Sequence, residues 1–423
     1  MAERLLIERL GQRGDGVAAT PHGLVYVPYA LPGETVLAEV EGDRGRLLSV
    51  ESPSPARVAA PCGLFGTCGG CAAQHLAPAD YEAWKTGQVA AVLRQAGLET
   101  EIRPLIHAHG AGRRRVVFHA RRVETDGRSR IAVGFMAARS HALVPITACP
   151  LLVPELARAP EAALALAEAC SKSPKPLDIQ VTATLGGLDV DLRGHGPASP
   201  KLRSELVQLA ERLDLARLTM HGDLIVGRRP AAVQIGRAEV ELPPGGFLQA
   251  TAAGEEALAS LVLEALPKAK RVADLFAGVG PFALRIAERA AVHAVEGEAA
   301  AMLALSNAVR RTLGLKPLTV ETRDLFRRPL MGPELKDYDA VVFDPPRAGA
   351  EAQARQLAAS QVPTVVAVSC NPASFARDAA ILAAGGYALT GVTPVDQFRY
   401  AAHVELVGVF QRPRTARARR TLG

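Results

Sequence analysis

Beyond Pro243-Pro244-Gly245-Gly246 the chain alternates short apolar runs with helix-length stretches, and this alternation restricts the fold more than any other feature. The segments 271–276, 291–296, 318–323, 338–343 and 364–369 have strand character, with near-continuous apolar runs as a sheet covered on both faces requires. Stretches 281–289, 298–313, 350–360 and 372–384 have helical spacing, and two last strands are expected near 387–393 and 403–410. The pattern predicts a doubly wound α/β domain over 244–423, in which ligands sit outside the carboxyl ends of the strands. Residues at those ends are therefore the first candidates for chemistry.

The run Val365-Val366-Ala367-Val368-Ser369 ends on Cys370-Asn371-Pro372, a thiol followed by two turn-forming residues. Taken alone, it is equally a small apolar residue closing a core strand. Asp274-Leu275-Phe276-Ala277-Gly278-Val279-Gly280-Pro281 joins the first strand to its helix, and its glycines let the backbone approach a ligand. Glu296, ending the second strand, is placed to accept both ribose hydroxyls of S-adenosylmethionine or of NAD. Ala283 meets the small position of a dinucleotide fingerprint only loosely, and Pro281-Phe282 is unusual there, which favours the methyl donor. Asp344-Pro345-Pro346-Arg347-Ala348-Gly349 holds a carboxylate on a rigid turn at the same edge; in isolation it would be a simple Asx-type turn.

With 423 residues the chain is long enough for two or three domains. Residues 1–58 alternate apolar and polar groups between glycines and prolines, which predicts a small β-barrel, and Glu51-Ser52-Pro53-Ser54-Pro55 reads as a linker. A mixed α+β middle domain is expected over 59–243. It has a helix from Asp80 to Gly97 (Tyr81, Trp84, Lys85, Val89, Val92 and Leu93 on one face), helices near 154–170 and 200–213, and strands at 115–120 and 177–181. Cys170 is read as a packing residue. Cys62, Cys68 and Cys71 form a C-x5-C-x2-C array in a glycine-rich loop, with Cys149 the best candidate for a fourth ligand and His75 a lesser one. Four thiolates fit tetrahedral zinc or a [4Fe-4S] cluster, and the spacing does not choose between them.

The net charge of +6 calls for an acidic partner only where it is localised. Arg113-Arg114-Arg115 and Arg121-Arg122 are preferred over the tail arginines Arg412, Arg414, Arg417, Arg419 and Arg420, because charged tails are usually solvated. Aromatic residues at 4% argue against a broad stacking platform for single strands. No apolar run of about 18 residues is present and Met-Ala-Glu-Arg opens no leader pattern, so a cytoplasmic protein without a membrane partner is expected.

Asp-Leu-Phe-Ala-Gly-Val-Gly, Asp-Pro-Pro-Arg-Ala-Gly, Ser-Cys-Asn-Pro and His403-Val404-Glu405 together resemble the RNA uracil-C5 methyltransferases, which make 5-methyluridine with S-adenosylmethionine. The likeness covers nearly the whole chain. In that family a TRAM barrel precedes a middle domain whose C-x5-C-x2-C array and a distant cysteine hold a [4Fe-4S] cluster, and Cys62, Cys68, Cys71 and Cys149 match that pattern. The resemblance implies that Cys370 adds to C6 of the uracil and that Glu405 removes the C5 proton. It implies cofactor contacts at Gln249, Phe276, Gly278, Glu296, Asp324 and Asp344, with Asp344 alternatively on the target base. Many relatives read Phe-Pro-His-Thr where this chain has Phe398-Arg399-Tyr400-Ala401-Ala402-His403, a departure that leaves Glu405 in place. The cysteine array resembles the ribosomal RNA branch, so 23S ribosomal RNA is the expected substrate of a monomeric enzyme that flips the uridine out, with transfer RNA as the alternative. A silent RNA-binding assembly factor, an NAD-dependent oxidoreductase and a zinc-loaded methyltransferase are the competing readings.

Overall fold

A computed structural model describes residues 2–125, 128–171 and 176–413. Arg414, Arg417, Arg419 and Arg420 lie outside the described residues. The strands from Ala2–Leu6 to Arg44–Ser52 form a six-stranded sheet around Leu5, Ile7, Val25, Val27, Val36 and Ala38. The expected linker is tied to this unit. Glu51 and Ser52 belong to the last strand, and the buried Glu34 carboxylate accepts hydrogen bonds from Ser54 N (3.2 Å) and from Arg57 Nε (2.6 Å) and Nη2 (2.7 Å).

A seven-stranded, mostly antiparallel sheet follows, running from Leu143–Pro145 at one edge to Asp223–Gly227 at the other. The helices Ala159–Ala169 and Pro200–Arg212 cover one face, burying Phe118, Leu166, Ile179, Val181 and Leu206; Cys170 packs in this core, as expected. The opposite face carries Arg115, His119 and Arg121 on alternate positions of Arg115–Thr125, with Arg128 and Arg130 paired beside them.

The C-terminal sheet has eight strands, in the order Leu318–Thr322, Ala291–Glu296, Arg271–Leu275, Ala340–Phe343, Thr364–Ser369, Glu405–Gln411, Ala388–Asp396 and Ile106–His107. The first five are parallel, and Glu405–Gln411 returns antiparallel to both of its neighbours. Apolar cores lie on both faces, so the doubly wound α/β expectation holds. The helix expected at 281–289 is only the turn Ala283–Ile286. The Ala287 carbonyl accepts from Lys316 N at 2.6 Å and draws the chain out of the helix. A short helix at Gly332–Leu335 had no counterpart in the sequence reading. Gly280 is a position where a side chain would not fit: its φ is +92° and an added Cβ would lie 2.5 Å from Leu305 Cδ1.

The helix Pro78–Gln95 and the strand Ile106–His107 join this C-terminal sheet. Val89, Leu93 and Leu105 share a core with Phe343, Phe375 and Tyr387. Lys85, expected on the apolar face, is fully buried with its Nζ 3.0 Å from Asp396 Oδ1. It also donates to the carbonyls of Phe398 and His403, while the Tyr81 hydroxyl donates to Asp396 Oδ2 at 2.6 Å. Burial pushes the Lys85 ammonium below its ordinary range, and the attraction of Asp396 opposes that shift. Among the described residues no helix is long and apolar enough to cross a membrane. Removing one partner of a buried pair strands the other charge, so Lys85→Met is expected to lower the unfolding free energy by about 3–5 kcal/mol in urea denaturation. A loss below about 1 kcal/mol would show that Asp396 is satisfied without the ammonium.

Candidate active site

Four strand ends converge because parallel strands all finish at one edge, and the antiparallel return brings the start of its own strand there too. Ser369 pairs opposite Leu406, which sets Cys370 beside Glu405. Asp344 follows Ala340–Phe343, its N–H donating to Leu275 O at 3.2 Å. Asn371 fastens the cysteine end to the Asp-Pro-Pro-Arg turn: its Nδ2 donates to Arg347 O at 2.9 Å while its Oδ1 caps the helix Pro372–Ala384 through Ala373 N. Arg347 Nη2 donates to His403 Nε2 at 3.0 Å, and burial with neighbouring cations lowers the imidazole to about 4, keeping it neutral.

A chain of amides links the carboxylates. Gln249 Nε2 donates to Asp344 Oδ2 at 3.0 Å, Gln397 Nε2 donates to Gln249 Oε1 at 2.7 Å, and the same nitrogen donates to Glu405 Oε1 at 3.1 Å. Glu405 Oε2 is buried without a hydrogen-bond partner among the described residues. Burial, then the nearby Asp344 charge, raises the Glu405 carboxyl above its ordinary range, and burial raises Asp344 as well. Asp274, fully buried beneath the glycine turn, is raised by burial and by the Asp344 charge. Burial, Glu405 and Asp344 push the Cys370 thiol up to about 11, with Arg347 acting in the opposite direction.

The glycine turn and the next two strand ends lie side by side. Gly278 has φ +53° with open space where a Cβ would stand, and its N–H donates to Glu296 Oε2 at 3.2 Å; Glu296 Oε1 accepts from Glu298 N at 3.0 Å. Arg323 N donates to Glu296 O, which brings the following turn alongside. In that turn Asp324 is exposed and accepts from Phe326 N at 3.0 Å, and the Phe326 ring lies 5.4 Å from the ring of Phe276. Gly278, Glu296, Phe276 and Asp324 thus stand at neighbouring strand ends, whereas Gln249 and Asp344 are linked to Glu405 through Gln397. Gln397, Asn371 and Phe326 went unassigned in the sequence. Only Asn371 carried a signal, as the turn former after the cysteine.

The arginine triplet divides. Arg114 is buried and structural, donating to Gln249 O at 3.1 Å and pairing with Glu255. Arg113 lies over the Phe398 ring at 5.7 Å and Arg115 over the exposed Phe247 ring at 5.2 Å, both beside the site. Arg412 packs on Tyr387 instead of belonging to a free tail.

Cys62, Cys68, Cys71 and Cys149 line one cavity of about 490 Å³, with Arg113 and Gln74 in its wall. His75 is absent from that wall; it is buried against the Phe65 ring at 5.1 Å. Gly70 N–H points at Cys68 Sγ, 3.5 Å away, and burial raises both Cys71, to about 11, and Cys149. Among the described residues no three His, Cys, Asp or Glu side chains converge closely enough to hold a single metal ion.

The family described as tRNA (Uracil-5-)-methyltransferase matches residues 207–413. An uncharacterized RNA methyltransferase of Brucella suis is 46% identical over 411 residues, 97% of this chain and 98% of that one. The 23S rRNA (uracil(1939)-C(5))-methyltransferase RlmD of Chromohalobacter salexigens is 35% identical over 445 residues, 99% of this chain and 91% of that one. In fold, the chain is similar to the crystal structure of Pyrococcus abyssi tRNA (uracil-54, C5)-methyltransferase in complex with S-adenosyl-L-homocysteine, with a TM-score of 0.74 at 21% identity, covering 96% of this chain and 99% of that one. The chain therefore belongs to the family of S-adenosylmethionine-dependent RNA uracil-C5 methyltransferases.

Proposed function

We propose that this enzyme methylates C5 of a uridine in 23S ribosomal RNA through a covalent bond between Cys370 and uracil C6. The observation that carries the reading is the meeting of Cys370, Glu405 and Asp344 at one sheet edge, where the Gly278 turn also meets Glu296. Uracil C5 is a weak nucleophile. Addition of the Cys370 thiolate to C6 breaks the C5–C6 double bond and puts the electron pair on an enolate, with C5 as its carbon end. S-adenosylmethionine supplies the methyl group on a sulfonium centre. Glu405 then takes the C5 proton, the C5–C6 double bond re-forms and the Cys370–C6 bond breaks, returning the thiolate. A carboxyl raised above its ordinary range is suited to this proton transfer near neutral pH.

Glu296 fits the ribose hydroxyls, because its carboxylate is held at the strand end by two backbone N–H groups. Phe276, Gly278 and Asp324 complete the cofactor site, with Gln249 and Asp344 between cofactor and base. The RNA is assigned to the sheet face bearing Arg115, Arg121, Arg128 and Arg130, which leads from Phe247 away from Gln249. The ribosomal target rests on the RlmD relative and on the cysteine array. In our reading the chain is organised as a TRAM-like barrel over 1–58, a middle domain over 59–243, of which Pro78–Gln95 and Ile106–His107 pack onto the C-terminal sheet, and the methyltransferase domain over 244–423, and it acts as a cytoplasmic monomer.

The four thiols around one cavity, with an N–H directed at Cys68 Sγ, fit a [4Fe-4S] cluster, whose ligands stand apart around a multi-atom core, better than a single zinc ion. Bound there, the cluster would tie the glycine-rich loop to the segment holding Cys149, a structural role.

With RNA containing 5-fluorouridine, wild type is expected to form a covalent complex stable to denaturing gels and Cys370→Ala none; equal trapping by both removes Cys370 from the reaction. Glu405→Gln should accumulate the methylated adduct, with turnover reduced at least about a hundredfold. Protein purified without oxygen is expected to contain roughly four iron and four sulfide per chain, and a colourless zinc-loaded product would refute the cluster. Mapping 5-methyluridine in cells lacking this protein should show one 23S site lost; loss from transfer RNA alone would redirect the assignment.

A further inference from the structure

We propose that Gln397 is the positioning residue of this reaction: its single side-chain amide orients Gln249 toward Asp344 and leaves Oε2 of Glu405 as the atom that receives the C5 proton. The inference rests on the covalent reaction proposed above and deepens it by assigning a residue with no role there.

Gln397 is 1% exposed, in the loop between Ala388–Asp396 and Glu405–Gln411. Its orientation is determined from outside. The backbone N–H of Thr251 can only donate, and it meets Gln397 Oε1 at 3.4 Å, so the amide NH2 points the other way. Both hydrogens of that NH2 are committed, one to Gln249 Oε1 and one to Glu405 Oε1. With its oxygen engaged, Gln249 must turn its own NH2 to Asp344 Oδ2. A carboxylate at the far end can only accept, so the chain Asp344–Gln249–Gln397–Glu405 has one direction, imposed at both ends.

Two consequences follow for Glu405. Its Oε1 already accepts a hydrogen bond, whereas Oε2 is buried with no partner among the described residues and is the oxygen free to take a proton. The amide also favours the charged form of Glu405. The charged and titratable groups around it come from three elements: Asp344 from the end of Ala340–Phe343, Arg347 from the following turn and Cys370 from the end of Thr364–Ser369. Burial and Asp344 raise the Glu405 carboxyl, and Gln397 and Arg347 lower it. Removing the amide deletes a lowering influence, so the base loses its proton only at higher pH.

The test separates the two halves of the reaction. Gln397→Met keeps an unbranched side chain without donors, and Gln397→Glu keeps the shape and the acceptor for Thr251 N–H while losing both donors. Each variant is expected still to trap 5-fluorouridine RNA, with a loss much smaller than its loss of turnover. Turnover on ordinary RNA should fall at least about tenfold with methylated adduct accumulating, and the acid limb of the rate profile should move up by about one pH unit, further for Gln397→Glu. Unchanged turnover and an unmoved limb in both variants overturn the proposal. So does a parallel loss of trapping and turnover with the limb in place, the mark of general disruption. If wild type traps nothing, or Cys370→Ala traps equally, the covalent reaction itself has failed and not the assignment of Gln397.

Discussion

Because Glu405–Gln411 runs antiparallel to both of its neighbours, its first residue and the residue after Thr364–Ser369 meet at the edge where the parallel strands also end. A parallel strand in the same slot would carry Glu405 to the opposite edge, a strand length away from the thiol. The same edge gathers three acidic side chains, Asp274, Asp344 and Glu405, all raised by burial. Such a cluster is costly to leave ionised in a dry site, and a cationic ligand or a bound proton relieves it. The methyl donor in the proposed reaction is cationic at sulfur, a charge that such a cluster favours.

The loop that delivers Glu405 is held by residues far away in sequence. Tyr81 and Lys85 grip Asp396, Tyr400 N donates to the Tyr81 hydroxyl at 2.9 Å, and the Tyr400 carbonyl accepts from Ala72 N and Ala73 N at 2.7 and 3.1 Å. Ala72 directly follows Cys71, so the cysteine loop and the loop leading to Glu405 share a hydrogen-bonded seam. The departure at Phe398-Arg399-Tyr400-Ala401-Ala402 leaves this seam in place. The contacts to Asp396 and Tyr400 run through backbone groups and through residues outside the altered stretch, and Tyr400 takes a left-handed φ of +62° to present its carbonyl.

The strand ends were legible because a parallel sheet buried on both faces needs continuous apolar runs, and Val365 to Val368 or Ala340 to Phe343 leave little choice of element. Cys370, Asp344 and Glu296 could be placed from those ends alone, and the distant partner Glu405 needed the family resemblance. Less legible were features set by tertiary contact. Nothing local says that Pro78–Gln95 packs on the C-terminal sheet, that Arg114 is internal while Arg113 and Arg115 line the cysteine cavity, or that the helix after Gly280 stops at one turn. Gln397 is the extreme case: a lone polar residue in a loop has no periodicity, and its importance appears only when Thr251, Gln249 and Glu405 surround it.

The electrostatics also order the proposed steps. A thiol pushed up to about 11 is ionised to roughly one part in ten thousand at neutral pH, far too little for a resting nucleophile. Of the two carboxylates responsible, Glu405 acts on the thiol more strongly than Asp344, and Arg347 acts against both influences. Neutralising Asp344, by a proton or by a cationic ligand, removes one force holding the proton on sulfur and also one force raising Glu405. The same neutralisation thus favours the charged forms of Cys370 and Glu405 together, against the burial that raises both. In the proposed reaction, the carboxylates joined through Gln249 and Gln397 would thus link ionisation of the nucleophile to that of the base.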